Sequence, residues 1–198
     1  DDEASEHVWM GGLDGALAAN LAQDAIIVEC STLSHDWVIQ LDSEVQKAGY
    51  RYIDCPVTGG PDMAAKGQLT LLVGANKKDL KRAICILEPL CAEIIHFGEV
   101  GKGTIYKLII NLIGSIQIAS VAEGLFVAKE AGLDLKKVGY AISKGAAASP
   151  QVIRNSKRMI SGEHENNVEF SGRWRLKDTV YGLRLAQKYG AQSRLGEV

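Results

Sequence analysis

The sequence predicts an α/β layer followed by an all-α region. Up to residue 98, short apolar runs alternate with stretches in which apolar residues recur at helical spacing. From Thr104 to Ala131 the sequence has no proline and only two glycines, which favours one helix of about 40 Å. A helix of that length extends beyond a sheet layer, so we expect it to begin a second, helical part. The predicted boundary lies near residues 98–104 and divides the chain into residues 1–100 and 101–198.

The first part is predicted to contain four strands with helices between them. After a short helical stretch that begins at Asp14, the strands cover 25–30, 51–57, 69–75 and 93–98, and the helices between them cover Asp36–Ala48 and Lys78–Leu90. In the first of these helices, one apolar face is formed by Trp37, Val38, Leu41 and Val45. Residues 58–68 are predicted to form a loop. This alternation is typical of a parallel or mixed sheet flanked by helices.

Three more helices are predicted after the long one. They cover Leu133–Lys144, Pro150–Ile160 and Arg173–Tyr189, and are separated by residues 145–149 and by the polar stretch 161–167. Pro150 suits a first helical turn, because proline there loses no helical hydrogen bond.

Composition disfavours two classes of partner. The chain is 46% apolar and 23% charged with a formal net charge of -2, and it lacks a Lys/Arg block that would attract nucleic acid. The longest uncharged apolar stretch, Leu108–Ala122, is shorter than the roughly 18 to 20 residues that cross a bilayer. We therefore expect no membrane span and interpret this stretch as a buried helix.

The cysteines and histidines do not form a metal-binding pattern. The four cysteines contain no CxxC pair, and the four histidines are equally dispersed. We therefore expect no metal centre, and a reduced, cytoplasmic setting fits this cysteine usage best.

A glycine-rich turn follows the second predicted strand. In DCPVTGGP, residues 54–61, the segment Thr58, Gly59 and Gly60 could present backbone amides to a carboxylate. The alternative interpretation is a plain turn, with which Pro61 also agrees.

Lys107 and Asn111 are predicted to project from one face of the long helix. They are four residues apart, and their neighbours at 108–110 and 112 are apolar. Burial would disfavour the charged ammonium and lower the pKa of Lys107, so that the side chain could exchange protons near neutral pH. Asn111 could then bond the reacting oxygen. The alternative is a lysine that extends its amine to solvent at a helix start.

Two more polar pairs lie at predicted element ends. Ser31 and Thr32 follow the first strand, at the edge where open α/β sheets bind ligands, although such hydroxyls also cap helices. Lys177 and Asp178 are adjacent opposite charges, which on a helix usually form a solvated face.

Six segments in order resemble the 3-hydroxyisobutyrate dehydrogenase, or β-hydroxyacid dehydrogenase, family. They are STL at 31–33, DCPVTGG at 54–60, GQLTLLVGA at 67–75, GKGTIYKLIIN at 101–111, AEGLFVAKEAGLD at 122–134 and LKD at 176–178. The resemblance implies that residues 1–100 are the C-terminal part of a Rossmann-type NAD(P)-binding domain. It also implies that residues 101–198 are a helical substrate and dimerisation domain that is incomplete at its C-terminus.

The resemblance also implies roles for individual residues. Lys107 would be the catalytic proton-transfer group, and the substrate would be bound by Thr58, Gly59, Gly60 and Asn111. The cofactor, NAD or NADP, would be contacted by Ser31, Thr32 and Lys177. The implied reaction is hydride transfer between nicotinamide and a small β-hydroxy acid or its carbonyl form, in a homo-oligomer, either a dimer or a tetramer.

Some features differ from the family pattern. No GxGxxG precedes these motifs, so we expect two βα units of roughly 30 residues each upstream of Asp1. His35 stands where the family often has proline. Gly114 occupies the position of a glutamate acid in related decarboxylating enzymes, which disfavours decarboxylation. The alternatives are an imine reductase-like enzyme and a non-catalytic dimeric interaction protein on the same scaffold.

Overall fold

The computed structural model describes residues 1–162, 168 and 170–197. The strands are β1 (Ile26–Glu29), β2 (Arg51–Asp54), β3 (Val57–Thr58), β4 (Leu69–Gly74) and β5 (Cys91–Gly98). The helices are α1 (Asp2–Met10), α2 (His35–Lys47), α3 (Gly60–Ala65), α4 (Lys77–Leu87), α5 (Lys102–Glu130), α6 (Leu135–Ile142), α7 (Pro150–Ser161) and α8 (Gly172–Lys188). The predicted fold class, an α/β region followed by helices, is confirmed. Most of the polar stretch 161–167 lies outside the described residues.

The sheet is mixed, which is one of the two arrangements that the sequence left open. β1 is parallel to β2, and β5 is parallel to β4, whereas β4 runs antiparallel to both β2 and β3. Asp54 lies opposite Gly74, Val57 opposite Leu71 and Thr58 opposite Thr70. These three pairs share one antiparallel register, so β2 and β3 are two stretches along the same side of β4.

Three sequence predictions differ from the structure. The single strand predicted over 51–57 is interrupted, because Pro56 has no N–H for a ladder hydrogen bond. The loop predicted over 58–68 contains the short helix α3, in which Pro61 occupies the first turn. Helix α4 ends at Leu87, and a single 3₁₀ turn containing Pro89 follows it.

Helix α2 shows how local sequence sets an element. Ser34 caps it by accepting a hydrogen bond from the Trp37 backbone N–H, at 3.2 Å. The predicted apolar face, Trp37, Val38, Leu41 and Val45, is buried, which confirms it. Since Ser34 provides the cap, the alternative role of Ser31 and Thr32 as helix caps is wrong.

The start of α5 is held by the sheet. Its first residues carry no capping side chain of their own, and the buried carboxylate of Asp54 at the end of β2 takes that place. The carboxylate accepts from the Gly101 N–H at 2.6 Å, the Thr104 N–H at 2.7 Å and the Thr104 hydroxyl at 2.9 Å. Gly103 lies so close to β4 that an added Cβ would be 2.1 Å from the Leu72 carbonyl oxygen. The helix therefore begins in direct contact with the sheet backbone.

The apolar surface of α5 is only partly covered. Leu108 packs with Tyr181 and Leu185 of α8, and Val121 and Leu125 pack with α7. By length and composition α5 alone among the described helices could cross a membrane, and 22% of its most apolar window is buried. The expectation of a buried helix over 108–122 is therefore wrong for one side. The exposed large apolar residues of α5 are Ile109, Ile110, Ile113, Phe126 and Val127.

Candidate active site

Lys107 lies where α5 passes the interrupted strand. Its Nζ donates a hydrogen bond to the Val57 carbonyl oxygen of β3, at 2.7 Å. Burial lowers the pKa of Lys107, and the positive charges of Arg175 and Lys177 lower it further, whereas Asp178 opposes them. The expected direction of the pKa shift is confirmed. The alternative interpretation, in which Lys107 extends its amine to solvent, is wrong, because the amine is partly buried and bonded to the sheet.

The glycine turn begins one residue after the Lys107 contact. Thr58 ends β3, and Gly59 and Gly60 follow with φ angles of 135° and 74°. Glycine adopts these angles without steric cost. An added Cβ on Gly59 would also come within 3.0 Å of the Met63 Cβ. All three residues are exposed, so their polar groups remain accessible to a ligand.

Asn111 and Lys177 are joined through Asp178. Asn111 Nδ2 donates to one carboxylate oxygen of Asp178 at 2.6 Å, and Lys177 Nζ lies 3.0 Å from the other. Asp178 is 1% exposed, so the interpretation of Lys177 and Asp178 as a solvated face is wrong. Sequence reasoning gave Asp178 no role. Its spacing from Tyr181 and Leu185, which form the buried stripe of α8, is the signal that could have found it.

Ser31 and Thr32 are anchored from two sides. The Ser31 N–H donates to the buried Glu29 carboxylate at 2.9 Å, and Lys177 Nζ donates to the Thr32 carbonyl oxygen. Glu29 is held in turn by the Ser5 hydroxyl at 2.9 Å and by Trp9 Nε1 at 2.7 Å. Burial alone would raise the pKa of Glu29, but these hydrogen bonds outweigh it and lower the pKa. Glu29 was missed because it lies inside an apolar strand pattern.

A cavity of about 250 Å³ lies between this segment and α8. It is lined by Asp1, Ser31, Thr32, Phe170, Trp174, Lys177 and Asp178. Its hydroxyls, cation and aromatic surfaces suit a flat polar ring such as nicotinamide. Two larger cavities of about 550 Å³ each contain none of the predicted site residues.

The structure therefore brings the predicted residues together in two groups. Lys107 bonds the carbonyl of Val57, the residue before Thr58. Asp178 links Asn111 to Lys177, and Lys177 in turn bonds the Thr32 carbonyl. A mixed sheet that leads into a long helix, with an amine of lowered pKa at their junction, agrees with the class of NAD(P)-binding oxidoreductases that the sequence resemblance implies.

Comparison with protein families agrees with that class. Residues 1–98 match the NAD binding domain of 6-phosphogluconate dehydrogenase. Residues 101–198 match the family described as NAD-binding of NADP-dependent 3-hydroxyisobutyrate dehydrogenase. The chain belongs to the 3-hydroxyisobutyrate dehydrogenase, or β-hydroxyacid dehydrogenase, family.

Individual relatives are similar to the chain in sequence, and a solved structure is similar to it in fold. The chain is 31% identical to 2-(hydroxymethyl)glutarate dehydrogenase of Eubacterium barkeri over 78% of this chain and 51% of that protein. It is 33% identical to the mitochondrial 3-hydroxyisobutyrate dehydrogenase of Drosophila melanogaster over 61% of this chain and 37% of that protein. A 3-hydroxyisobutyrate dehydrogenase structure from Salmonella typhimurium aligns with a TM-score of 0.87 at 19% identity, covering 99% of this chain and 67% of that one. The chain spans between 37% and 62% of the length of the curated relatives it matches.

Proposed function

We propose that the protein transfers a hydride between NAD or NADP and a small β-hydroxy acid, or the corresponding carbonyl compound. The observation that carries the proposal is the amine of Lys107, which has a lowered pKa and is bonded beside the glycine turn. A group of this kind can accept the hydroxyl proton of an alcohol during oxidation, or return it during reduction.

Lys107 is oriented for that step by its neighbours. The Val57 carbonyl accepts one N–H, which fixes the direction of the nitrogen, and burial favours the neutral amine. A neutral amine has a lone pair that can take a proton from the substrate hydroxyl. Bound nicotinamide would supply the hydride acceptor or donor.

We propose that the glycine turn binds the carboxylate of the substrate and that helix α5 binds the substrate hydroxyl. Thr58, Gly59 and Gly60 offer a hydroxyl and backbone amides to an anion. Asn111 would bond the reacting oxygen through its amide, while Asp178 holds that amide in place. Ser31, Thr32 and Lys177 would hold the nicotinamide end of the cofactor in the cavity that they line.

The direct test is Lys107→Ala, assayed with a series of small β-hydroxy acids and both cofactors. We expect kcat to fall by about 10² to 10⁴-fold, because a positioned proton-transfer group contributes that much, with nucleotide affinity nearly unchanged. Lys129→Ala is the matched control, since Lys129 is an exposed lysine of the same helix. Near-normal turnover of Lys107→Ala would refute the role.

Cofactor binding can be measured without turnover. Trp174 lines the cavity and is 39% exposed, so bound NADH or NADPH should quench its fluorescence. Trp174→Phe should remove most of that quenching. A protein that is dimeric but indifferent to both nucleotides would support the non-catalytic interaction protein instead.

We also propose a homo-oligomer in a reduced, cytoplasmic setting. The exposed apolar side chains of α5 support the first part, since burying them against a second copy would stabilise both. The four free cysteines support the second. Light scattering should give a dimer or tetramer, and Ile113→Glu should shift it towards monomer. A wild-type chain that is monomeric in light scattering, or that needs detergent to remain in solution, would contradict the proposed homo-oligomer.

A further inference from the structure

Cys30 and Cys55 lie side by side at the ends of two parallel strands. The pairing of β1 with β2 places Glu29 opposite Asp54, so the next positions along both chains are Cys30 and Cys55. The Cys55 N–H continues the ladder by donating to the Glu29 carbonyl oxygen at 2.8 Å. The two cysteines are therefore in register just beyond the last strand pair.

Both side chains project from the same face of the sheet. Side chains alternate along a strand, so Cys30 shares the face of Val28, and Cys55 shares the face of Ile53. Val28, Ile53 and Cys55 all belong to one apolar cluster, which places both thiols on that side. Neighbouring strands are roughly 4.8 Å apart, within the roughly 4.4 to 6.8 Å between Cα atoms that a disulfide spans.

The two thiols differ in exposure and acidity. Cys30 is exposed, whereas Cys55 is fully buried. Interaction with the Cys55 thiol lowers the pKa of Cys30, and the same interaction together with burial raises the pKa of Cys55. An accessible thiol with a lowered pKa beside a second, protonated thiol is the arrangement of an attacking and a resolving cysteine.

We propose that Cys30 and Cys55 form an oxidation site, in which Cys30 reacts with a peroxide and Cys55 closes a reversible disulfide. The oxidation requires neither the cofactor nor the substrate, so it can be tested whether or not the proposed dehydrogenase function holds.

The chemistry balances in two steps. The Cys30 thiolate attacks one peroxide oxygen, the O–O bond breaks, and the hydroxide that leaves takes the thiol proton to give water and a sulfenic acid. The Cys55 sulfur then attacks the Cys30 sulfur, the S–O bond breaks, and hydroxide leaves as water with the Cys55 proton. In total, two thiols and one hydrogen peroxide give one disulfide and two waters.

The other cysteines provide an internal comparison. Cys85 is also exposed, but its thiol contacts the Arg82 carbonyl oxygen of its own helix at 3.8 Å. The Cys91 thiol contacts the Leu87 carbonyl oxygen at 3.4 Å, and burial raises the pKa of Cys91. Neither has a thiol in register on a neighbouring strand.

The test is peptide mapping after treatment of the 198-residue chain with hydrogen peroxide. Trypsin cleaves after Lys47, Arg51 and Lys66, which places Cys30 in peptide 1–47 and Cys55 in peptide 52–66. We expect these two peptides to be recovered joined, at least tenfold more abundant than any other cysteine pair, and to separate on reduction with dithiothreitol.

Three variants make the result specific. Cys85→Ser should retain the joined peptides, and Cys30→Ser, a change at an exposed position, should lose them. Cys55→Ala should leave a sulfenic acid on Cys30, which a cyclic 1,3-dione would trap. The proposal is overturned if peptides 1–47 and 52–66 remain separate while the peptide holding Cys85 is oxidised, or if they still join in Cys30→Ser.

Discussion

The sheet part and the helical part of this chain differ in how completely each buries its own apolar residues. On the two faces of the sheet, two clusters of seven buried apolar residues each form a closed core. In the helical part the two clusters hold three such residues each, and α5 leaves a row of apolar side chains exposed. The sheet part therefore packs more of its apolar residues against one another, whereas the start of α5 is held by hydrogen bonds to the sheet. The candidate site lies where the two parts meet.

Truncating one core leucine in each part would test this comparison with the largest expected effect. Leu41 is 0% exposed in the sheet part, and Leu125 is 6% exposed between α5 and α7. We expect Leu41→Ala to lower the free energy of unfolding by an amount near the top of the usual range of about 2 to 5 kcal/mol, and Leu125→Ala by an amount near the bottom. Urea denaturation measures both. Equal losses would contradict the difference between the two parts.

Substitution of Asp54 tests the hydrogen bonds that connect the sheet part to the start of helix α5. Asp54→Ala removes the acceptor for the first amides of α5, so we expect a loss of about 1 to 3 kcal/mol in the free energy of unfolding. Asp62→Ala, at an exposed carboxylate in α3, should change it by less than about 0.5 kcal/mol. A stability of Asp54→Ala equal to that of the control would show that the helix start does not depend on the sheet.

Glu29 gives the sheet part a pH dependence with a definite sign. Its pKa is lowered from an ordinary 4.5 by hydrogen bonds, so its stabilising contribution is complete above pH 4.5 and is lost as the pH falls through the lowered pKa. We expect the unfolding free energy of the wild type to decline more steeply below pH 4.5 than that of Glu29→Gln. Denaturation curves at a series of acidic pH values would show this, and parallel declines would count against it.

The smallest expected effect concerns charge at the junction. Asp178 raises the pKa of Lys107, and Arg175 lowers it. Asp178→Asn should therefore lower the pKa of Lys107, and Arg175→Gln should raise it. NMR titration of ¹³C-methylated lysines gives the direction without requiring turnover. Shifts in the same direction for both variants would show that charge does not control this amine.

Much of the fold follows from short-range sequence patterns. The apolar periodicity of α2 and the lack of proline in α5 each predicted a helix to within one or two residues at either end. Periodicity did not predict the break between β2 and β3, because the apolar run continues through Pro56. It also gave no indication of helix α1, whose charged residues form only a weak apolar face.

The site was harder to predict because its contacts are between residues distant in sequence. The withdrawal of Lys107 from solvent was predicted from its apolar neighbours, and the pKa direction confirms it. The bonds of Asp178 to Asn111, and of Glu29 to Ser5 and Trp9, join separate elements. Only the fold places those partners together, so local patterns could not reveal them. The catalytic and binding roles remain predictions for the experiments proposed above.

Gly103 is the residue at which the long helix α5 packs directly against the sheet backbone. Gly103 touches the β4 backbone, and Lys107 follows one turn later on the same side of α5. The far end of the helix at Glu130 is about 40 Å beyond this point. A side chain at Gly103 would push α5 away from β4. The tilt would move the Lys107 amine by a small distance and the C-terminal end of the helix by a much larger one. The lack of a side chain at Gly103 thus determines both where the Lys107 amine lies and how the far end of α5 is oriented relative to the sheet.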